Sequence, residues 1–134
     1  MAAKLCLQVL SCTQVDVERQ LEAFMELQTH YKIPGIIRST FGQESLDSIF
    51  APLRMSRPSL RNNEVELHAF LVLRQIVTQG FFIGEQGIVD IEPFLQNIDS
   101  RLRNEVLRIL AITADGKADR AQFIVQRQEI IKGM

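Results

Sequence analysis

The chain has 134 residues, 46% of them hydrophobic, and carries 15 basic and 16 acidic residues for a formal net charge of −1. This length and hydrophobic content suit one domain with a buried core and exclude a disordered chain. The near-neutral charge excludes a global field that would attract nucleic acid or an anionic membrane, so any such binding would have to be local.

The N-terminal segment contains both cysteines. Cys6 and Cys12 lie six residues apart in a predicted helix, on different faces, and we expect two buried thiols in a reducing compartment. The apolar run behind Lys4 is broken by Gln8 and lacks the cleavage site of a signal peptide. No segment approaches the roughly 18 to 20 uninterrupted apolar residues of a membrane span. We therefore expect a soluble, intracellular, cytoplasmic protein with no membrane partner, and the nucleus remains a second compartment to consider.

Helical periodicity then extends over residues 13–31. The apolar residues of one predicted helix face recur at helical spacing at Val17, Leu21, Phe24 and Met25. Thr13 with Asp16 resembles a capping box, and Pro34-Gly35 ends the helix. Residues 36–44 have some β-branched character, but a single short run without a partner strand does not predict a sheet.

The middle of the chain predicts a short helix and then a long one. Ser45 is the predicted N-cap of the short helix, and Pro58 lies beyond its end. After an arginine-rich connection, residues 64–80 read EVELHAFLVLRQIVTQG, which is apolar nearly all round. Such a pattern predicts a central helix with neighbours on several sides, and Gly80 ends it.

The C-terminal third predicts a loop and three helices. After the loop GFFIGEQG we expect helices over about 88–97 and 100–112, a joint at Asn97–Asp99, the turn ADGKAD, and an amphipathic helix to Lys132. No strand is predicted. The sequence therefore predicts a single all-α domain, 1–134, with six to seven helices: N-terminal helices or a cap in 1–44, two hairpins in 45–112, and a capping helix in 115–134.

The two predicted hairpins share a pattern. Counting from Asp99, residues Leu102, Arg103, Val106 and Leu110 follow at offsets 3, 4, 7 and 11. Counting from Asn62, the same offsets hold Val65, Glu66, Ala69 and Leu73. A shorter predicted helix with a proline between apolar residues precedes each start, IFAPLR in the first unit and IEPFLQ in the second. The units are 37 residues apart at the second helix and 41 apart at the proline.

This pattern, over about residues 46–112, resembles the HEAT and armadillo class of helical repeats. The resemblance implies an outer helix with a proline followed by an inner helix, in a short array or a compact multi-helix bundle that binds other macromolecules. In such families an acidic residue and an inner-helix arginine tie neighbouring repeats together. Here the acidic position falls on Asn97 and the arginine position of the first unit is Glu66. A contact between Arg103 and Glu66 would replace that ladder.

No pattern in the chain predicts chemistry. His30 and His68 are the only histidines and lack a third ligand at zinc-site spacing. Residues 115–119, DGKAD, lack most of the oxygens of an EF-hand loop. Residues 84–87, GEQG, have the glycine spacing of a KH-domain loop, but their acidic interior argues against phosphate. We expect no catalytic residue, no metal, no cofactor and no enzymatic activity.

Two groups of residues favour binding. Arginine outnumbers lysine eleven to four, and its forked guanidinium is favoured at interfaces. One arginine cluster lies in the connection, at Arg54, Arg57 and Arg61. Phe81 and Phe82 form an aromatic pair in a glycine-flanked loop, which is either an exposed contact site or folded back on the core.

The sequence thus predicts a non-enzymatic protein–protein interaction module, acting as an adaptor, regulator or assembly factor through a helical face. We place that face on the outward residues of the two inner helices, Glu64, His68, Arg101, Glu105 and Arg108. One alternative is a nucleic-acid-binding helical domain that uses the clustered arginines. Another is a homodimeric helical regulatory protein of viral or bacterial origin. A protein partner is expected first, and self-association remains an alternative.

Overall fold

The computed structural model describes residues 2–11, 17–54, 63–97, 99–115 and 121–126. These ranges contain seven α-helices: α1 Ala2–Ser11, α2 Val17–Tyr31, α3 Ile36–Thr40, α4 Gln43–Phe50, α5 Asn63–Thr78, α6 Glu85–Ile91 and α7 Ser100–Ala114. A 3-10 helix, Glu92–Gln96, joins α6 to α7, and residues 121–126 are also helical. The described residues contain no strand, so the predicted all-α class is confirmed.

Helix α5 lies at the centre of the packing. It contacts α2 on one side and α7 on the other, while α4 packs on α5 and on α1. Its core positions Ala69, Phe70, Val72 and Leu73 have no solvent exposure. Burying side chains of this size stabilises the fold by about 1.5–3 kcal/mol each, except for the smaller alanine. The all-round apolar pattern of residues 64–80 therefore correctly predicted a central helix.

Helices α2, α5 and α7 lie side by side and run in the same direction. The amides of Gln75 and Gln79, one turn apart on α5 and just after it, reach Gln28 and Tyr31 in the same order along α2. On the other side of α5, Glu64 pairs with Arg101 and the later Arg74 pairs with the later Glu105. We refer to these three helices as the α2–α5–α7 layer.

Helices α4 and α6 begin in the same way. Each follows a glycine N-cap, Gly42 and Gly84, and these glycines are 42 residues apart. At the same separation, Leu46 and Ile88 are both buried, and so are Ile49 and Ile91. The hairpins that end in α5 and α7 therefore share a glycine N-cap and two buried positions at one constant separation, which their prolines alone did not reveal.

Several predicted helix boundaries are corrected. The prediction that Ser45 is an N-cap is wrong, because α4 begins at Gln43 and the Ser45 hydroxyl, inside the first turn, donates to Gly42 O at 2.8 Å. Helix α6 begins at Glu85, three residues before the predicted start, because Gly84 adopts a φ of 89° that permits the turn. Residues 36–40 form α3, in which the Thr40 hydroxyl donates to Ile36 O at 2.9 Å.

The start of α7 agrees with its prediction. Asp99 is its N-cap, and its carboxylate accepts the Arg101 N–H at 2.9 Å. Residues 121–126 are helical, in agreement with the predicted last helix. Several predicted features lie outside the described residues, among them the Thr13–Asp16 capping box, Pro58, the Asn62 cap, residues 116–119 of the predicted turn, and the end of the last helix at Lys132.

The two glycine N-caps provide a matched test of the backbone. Gly84 has a positive φ that strains any residue with a Cβ, whereas Gly42, at φ 177°, is extended, and neither has a heavy atom within 4 Å of an added Cβ. We expect Gly84→Ala to lower the free energy of unfolding by about 1–2 kcal/mol. Gly42→Ala should leave it unchanged or raise it by less than about 1 kcal/mol. Urea denaturation of the two variants measures the difference, and equal losses would contradict the assigned backbone conformations.

Candidate functional site

One side of the α2–α5–α7 layer keeps contact with solvent. Along α5, residues 64, 67, 71, 74 and 78 recur at helical spacing and are partly or fully exposed. We call this side the uncovered face and define it by seven side chains: Met25 on α2; Leu67, His68, Leu71 and Arg74 on α5; and Arg101 and Arg108 on α7. The face combines apolar side chains along α5 with arginines at the α7 edge.

At one end of the α7 edge, Arg101 bridges two carboxylates. Its Nη2 lies 2.7 Å from Glu64 Oε1 and 2.9 Å from Asp99 Oδ2. Hydrogen bonds to Asp99 and then to Glu64 raise the pKa of the Arg101 guanidinium, and the same bond lowers the pKa of Asp99. The Arg101 and Glu64 side chains are about half exposed, at 52% and 51%, so this pair adds little stability. Arg101 and Glu64 therefore lie together on the predicted face, and each is engaged.

One turn further along α7, Glu105 joins two arginines. Its Oε1 accepts from Nη1 of Arg74 and from Nη1 of Arg108, each at 3.2 Å. Glu105 is only 7% exposed, so the prediction that it points outward is wrong. The reason is its position, since it lies within one turn of the buried Leu102 and Ile109 on the side of α7 that meets α5. Arg74 was not predicted as a site residue. It reaches Glu105 only because α5 and α7 pack together, and its position in the sequence does not indicate that contact.

The α2 edge of the layer is held by amides. Gln75 Nε2 donates to Gln28 O at 3.0 Å, and Gln79 Nε2 donates to Tyr31 O at 3.3 Å. Carbonyl oxygens in the last turn of a helix lack helical partners, so these amides cap the C-terminal end of α2. Sequence spacing carries no signal for this role, because it depends on how α2 and α5 meet.

His68 belongs to the same edge. Its Nδ1 lies 2.7 Å from Gln28 Nε2, and the ring is partly buried. With the Gln28 amide as donor, Nδ1 accepts and the proton of the neutral ring sits on Nε2. His68 is thus a hydrogen-bonded member of the uncovered face.

Arg54 lies in a different place. Its Nε is 2.7 Å from Asp90 Oδ2, its Nη1 is 3.4 Å from Asp47 Oδ1, and its guanidinium is 5.2 Å from the centre of the Phe50 ring. Arg54 therefore fastens the end of α4 to α6, away from the layer. The other two members of the predicted cluster, Arg57 and Arg61, lie outside the described residues.

The aromatic loop folds back on the protein. Phe81 and Phe82 are both partly buried against the core. The Phe81 ring lies 4.8 Å from the Phe41 ring, centre to centre, at an angle of 37°. The loop thus adopts the second of the two alternatives that the sequence left open, and it connects the entries of α4 and α6.

Asn97 and Arg103 form a local cap within the second hairpin. Arg103 Nη1 donates to Asn97 O at 2.8 Å, and Asn97 Oδ1 accepts the Asp99 N–H at 2.8 Å. Glu66, at the matching position of the first hairpin, is 2% exposed. The contact between Arg103 and Glu66 stays a prediction.

A cleft of about 600 Å³ lies between α1, α3 and α4. The hydroxyls of Thr40, Ser45 and Ser48 line it and donate to carbonyls of their own helices or turns, so only their lone pairs face the cleft. In the described ranges, no group of three or more His, Cys, Asp or Glu side chains could hold a metal ion, and no helix is both long and apolar enough to span a bilayer.

Cys6 lies beside a smaller cleft between α1 and α2. It is 4% exposed, and its Sγ donates to Glu26 Oε2 at 3.6 Å. Burial raises the pKa of the Cys6 thiol to about 11, and the hydrogen bond and charge of Glu26 act in the same direction. The thiol is therefore protonated and a poor nucleophile at neutral pH. Cys12 lies outside the described residues.

Comparison of the chain with protein-family models, curated proteins and solved structures gave no significant match.

The raised pKa of Cys6 predicts a pH dependence of stability. Below the ordinary thiol pKa of 9.0 the group is protonated in both states, and between 9.0 and about 11 only the unfolded chain loses the proton. The contribution of Cys6 to the free energy of unfolding is therefore complete below pH 9 and falls as the pH rises towards 11. The difference between the native chain and Cys6→Ser, measured in urea at pH 8, 9, 10 and 11, should shrink with pH. A constant difference would contradict a protonated, buried thiol.

Proposed function

We propose that the chain is a non-enzymatic protein-interaction module that binds its partner through the uncovered face of the α2–α5–α7 layer. The observation that carries the proposal is the position of Leu71. This residue lies on the most central helix of the fold and yet keeps contact with solvent. Leu67 is also partly exposed, and Met25 on the neighbouring α2 is 51% exposed. A partly exposed apolar surface rimmed by arginines is typical of a protein-binding site.

A repeat-like architecture is part of the proposal. The hairpins α4–α5 and α6–α7 would be two HEAT- or armadillo-like units, with the α1–α2 hairpin stacked beside them. The glycine N-caps of α4 and α6, 42 residues apart, and the common direction of α2, α5 and α7 support this arrangement. Stacked inner helices in such arrays make a continuous surface, which is the surface that those folds use for binding.

The charges favour a protein partner over nucleic acid. Arg54 and Arg101 each pair with two carboxylates, so neither is a free cation available to a phosphate backbone. Non-specific nucleic-acid binding depends on several uncompensated contacts to phosphates. With no reactive constellation in the described ranges, an adaptor, regulator or assembly factor inside the cell is the function that these features support best.

Substituting the centre of the face should abolish partner binding without unfolding the chain. We expect Leu71→Glu to reduce the partner recovered with the tagged chain from its native cell by about tenfold or more, as for a central interface residue. Because Leu71 is partly exposed, the free energy of unfolding should change by no more than about 1 kcal/mol.

Leu107→Glu is the matched control. Leu107 is 51% exposed on α7, two residues after Glu105 and therefore about 200° round the helix, away from α5. Quantitative mass spectrometry of the co-purified proteins compares the two variants. Loss of the partner with Leu107→Glu and its retention with Leu71→Glu would show that the face is wrongly placed.

A further inference from the structure

We infer that Arg74 and Arg108 form an anion site on the uncovered face, and that this site takes a carboxylate from an acidic segment of the protein partner. The inference rests on the proposed function and names the chemistry of the partner. The spacing of Arg74 and Arg108 in the sequence does not predict such a site, because the two residues lie on different helices.

Most N–H donors of the Arg74 and Arg108 guanidinium groups make no hydrogen bond to a described residue. Both Nη1 atoms lie 3.2 Å from the same oxygen, Glu105 Oε1, and the side chains are 34% and 61% exposed. A guanidinium has five N–H donors, and each of these two makes one hydrogen bond to a described residue. Two cations on one carboxylate leave a local charge of +1 with donors directed to solvent. A second carboxylate would match both the charge and the donors.

The burial of Glu105 indicates that the two arginines are held in place. Glu105 is 7% exposed, and its other oxygen, Oε2, is buried without a hydrogen-bond partner among the described residues. A buried carboxylate satisfied on one oxygen only is a poor source of stability, because removing it from water costs more than the hydrogen bonds to that single oxygen return. Its physical effect is to restrict two flexible side chains before a ligand arrives, which lowers the entropic cost of binding. Glu105 is thus a positioning residue.

The surroundings favour an acidic protein segment. Leu71 lies three residues before Arg74 on α5, so an apolar contact is available about one helical turn from the anion site. Arg101, on the same helix as Arg108, already pairs with Glu64 and Asp99. The face therefore offers a single anion site and not the row of cations that a phosphate backbone requires. A segment with an acidic residue and an apolar residue one turn away fits this arrangement.

A peptide selection tests the inference without knowledge of the partner. A phage-displayed library of random peptides is selected on the immobilised full chain and then counter-selected on Leu71→Gln, a neutral substitution, so that ligands of the uncovered face remain. We expect the recovered peptides to be enriched in Asp or Glu beside an apolar residue. Recovered peptides without acidic enrichment would overturn the anion site and leave the face intact. Failure to recover any peptide sensitive to Leu71→Gln would count against the face itself, and with it the inference.

The affinity of the best peptide for variants of the chain then tests whether Arg108 contributes to binding. Arg108→Gln, which leaves the Arg74–Glu105 pair in place, should weaken binding about tenfold in fluorescence anisotropy, as for loss of a charge-assisted hydrogen bond. Arg38→Gln is the matched control, since Arg38 is exposed on α3 and makes no ion pair with a described residue. Replacing the peptide's acidic residue by Gln or Asn should weaken binding to the native chain by the larger factor and binding to Arg108→Gln by a smaller one, because only Arg74 then remains to contact the carboxylate. Equal affinity of the native chain and Arg108→Gln for the peptide would overturn the inference. So would binding of single-stranded RNA that is tighter than binding of the peptide and is abolished by Arg108→Gln.

Discussion

The burial of α5 between α2 and α7 is the constraint on which the rest of the structure depends. Ala69, Phe70 and Leu73 have no exposure, so their helix can occupy only the centre of the fold. The flanking helices must then pack on either side of it, and the glutamines at its C-terminal end fix the position of α2. One stripe of α5 is left facing solvent, and that stripe is the middle of the proposed binding face.

Local signals in the sequence predicted the parts of the fold that depend on neighbours along the chain. The apolar circumference of residues 64–80 predicted a central helix, and Asp99 predicted the start of α7, because periodicity and capping are local properties. The start of α4 was misplaced, because Ser45 is the third helical residue and its hydroxyl bonds back to Gly42. A serine at the N-cap would instead accept from an N–H two or three residues ahead. Helix α6 begins earlier than predicted because Gly84 adopts a positive φ, and the sequence alone does not give that angle.

The site was harder to predict, because its contacts join different helices. Arg101 and Glu64 were correctly placed on one face, but Glu105 was expected outside and is buried against α5. The charge of Glu105 predicted an exposed side chain. Its position on α7, on the side that meets α5, instead places it against Arg74. The amides of Gln75 and Gln79 have ordinary positions on a helix, and their capping role exists only once α2 lies beside them.

Hydroxyl-radical footprinting of the chain with the partner recovered from its native cell tests the central claim most directly, because it reports on individual side chains. If the uncovered face of the α2–α5–α7 layer is the binding site, oxidation of Met25, His68 and Leu71 should fall on complex formation, since a bound partner excludes water from interface side chains. Leu5 on α1 and Leu107 on the far side of α7, 60% and 51% exposed, should remain as reactive as in the free chain. Protection of Leu5 or Leu107 with Leu71 unchanged would contradict the account.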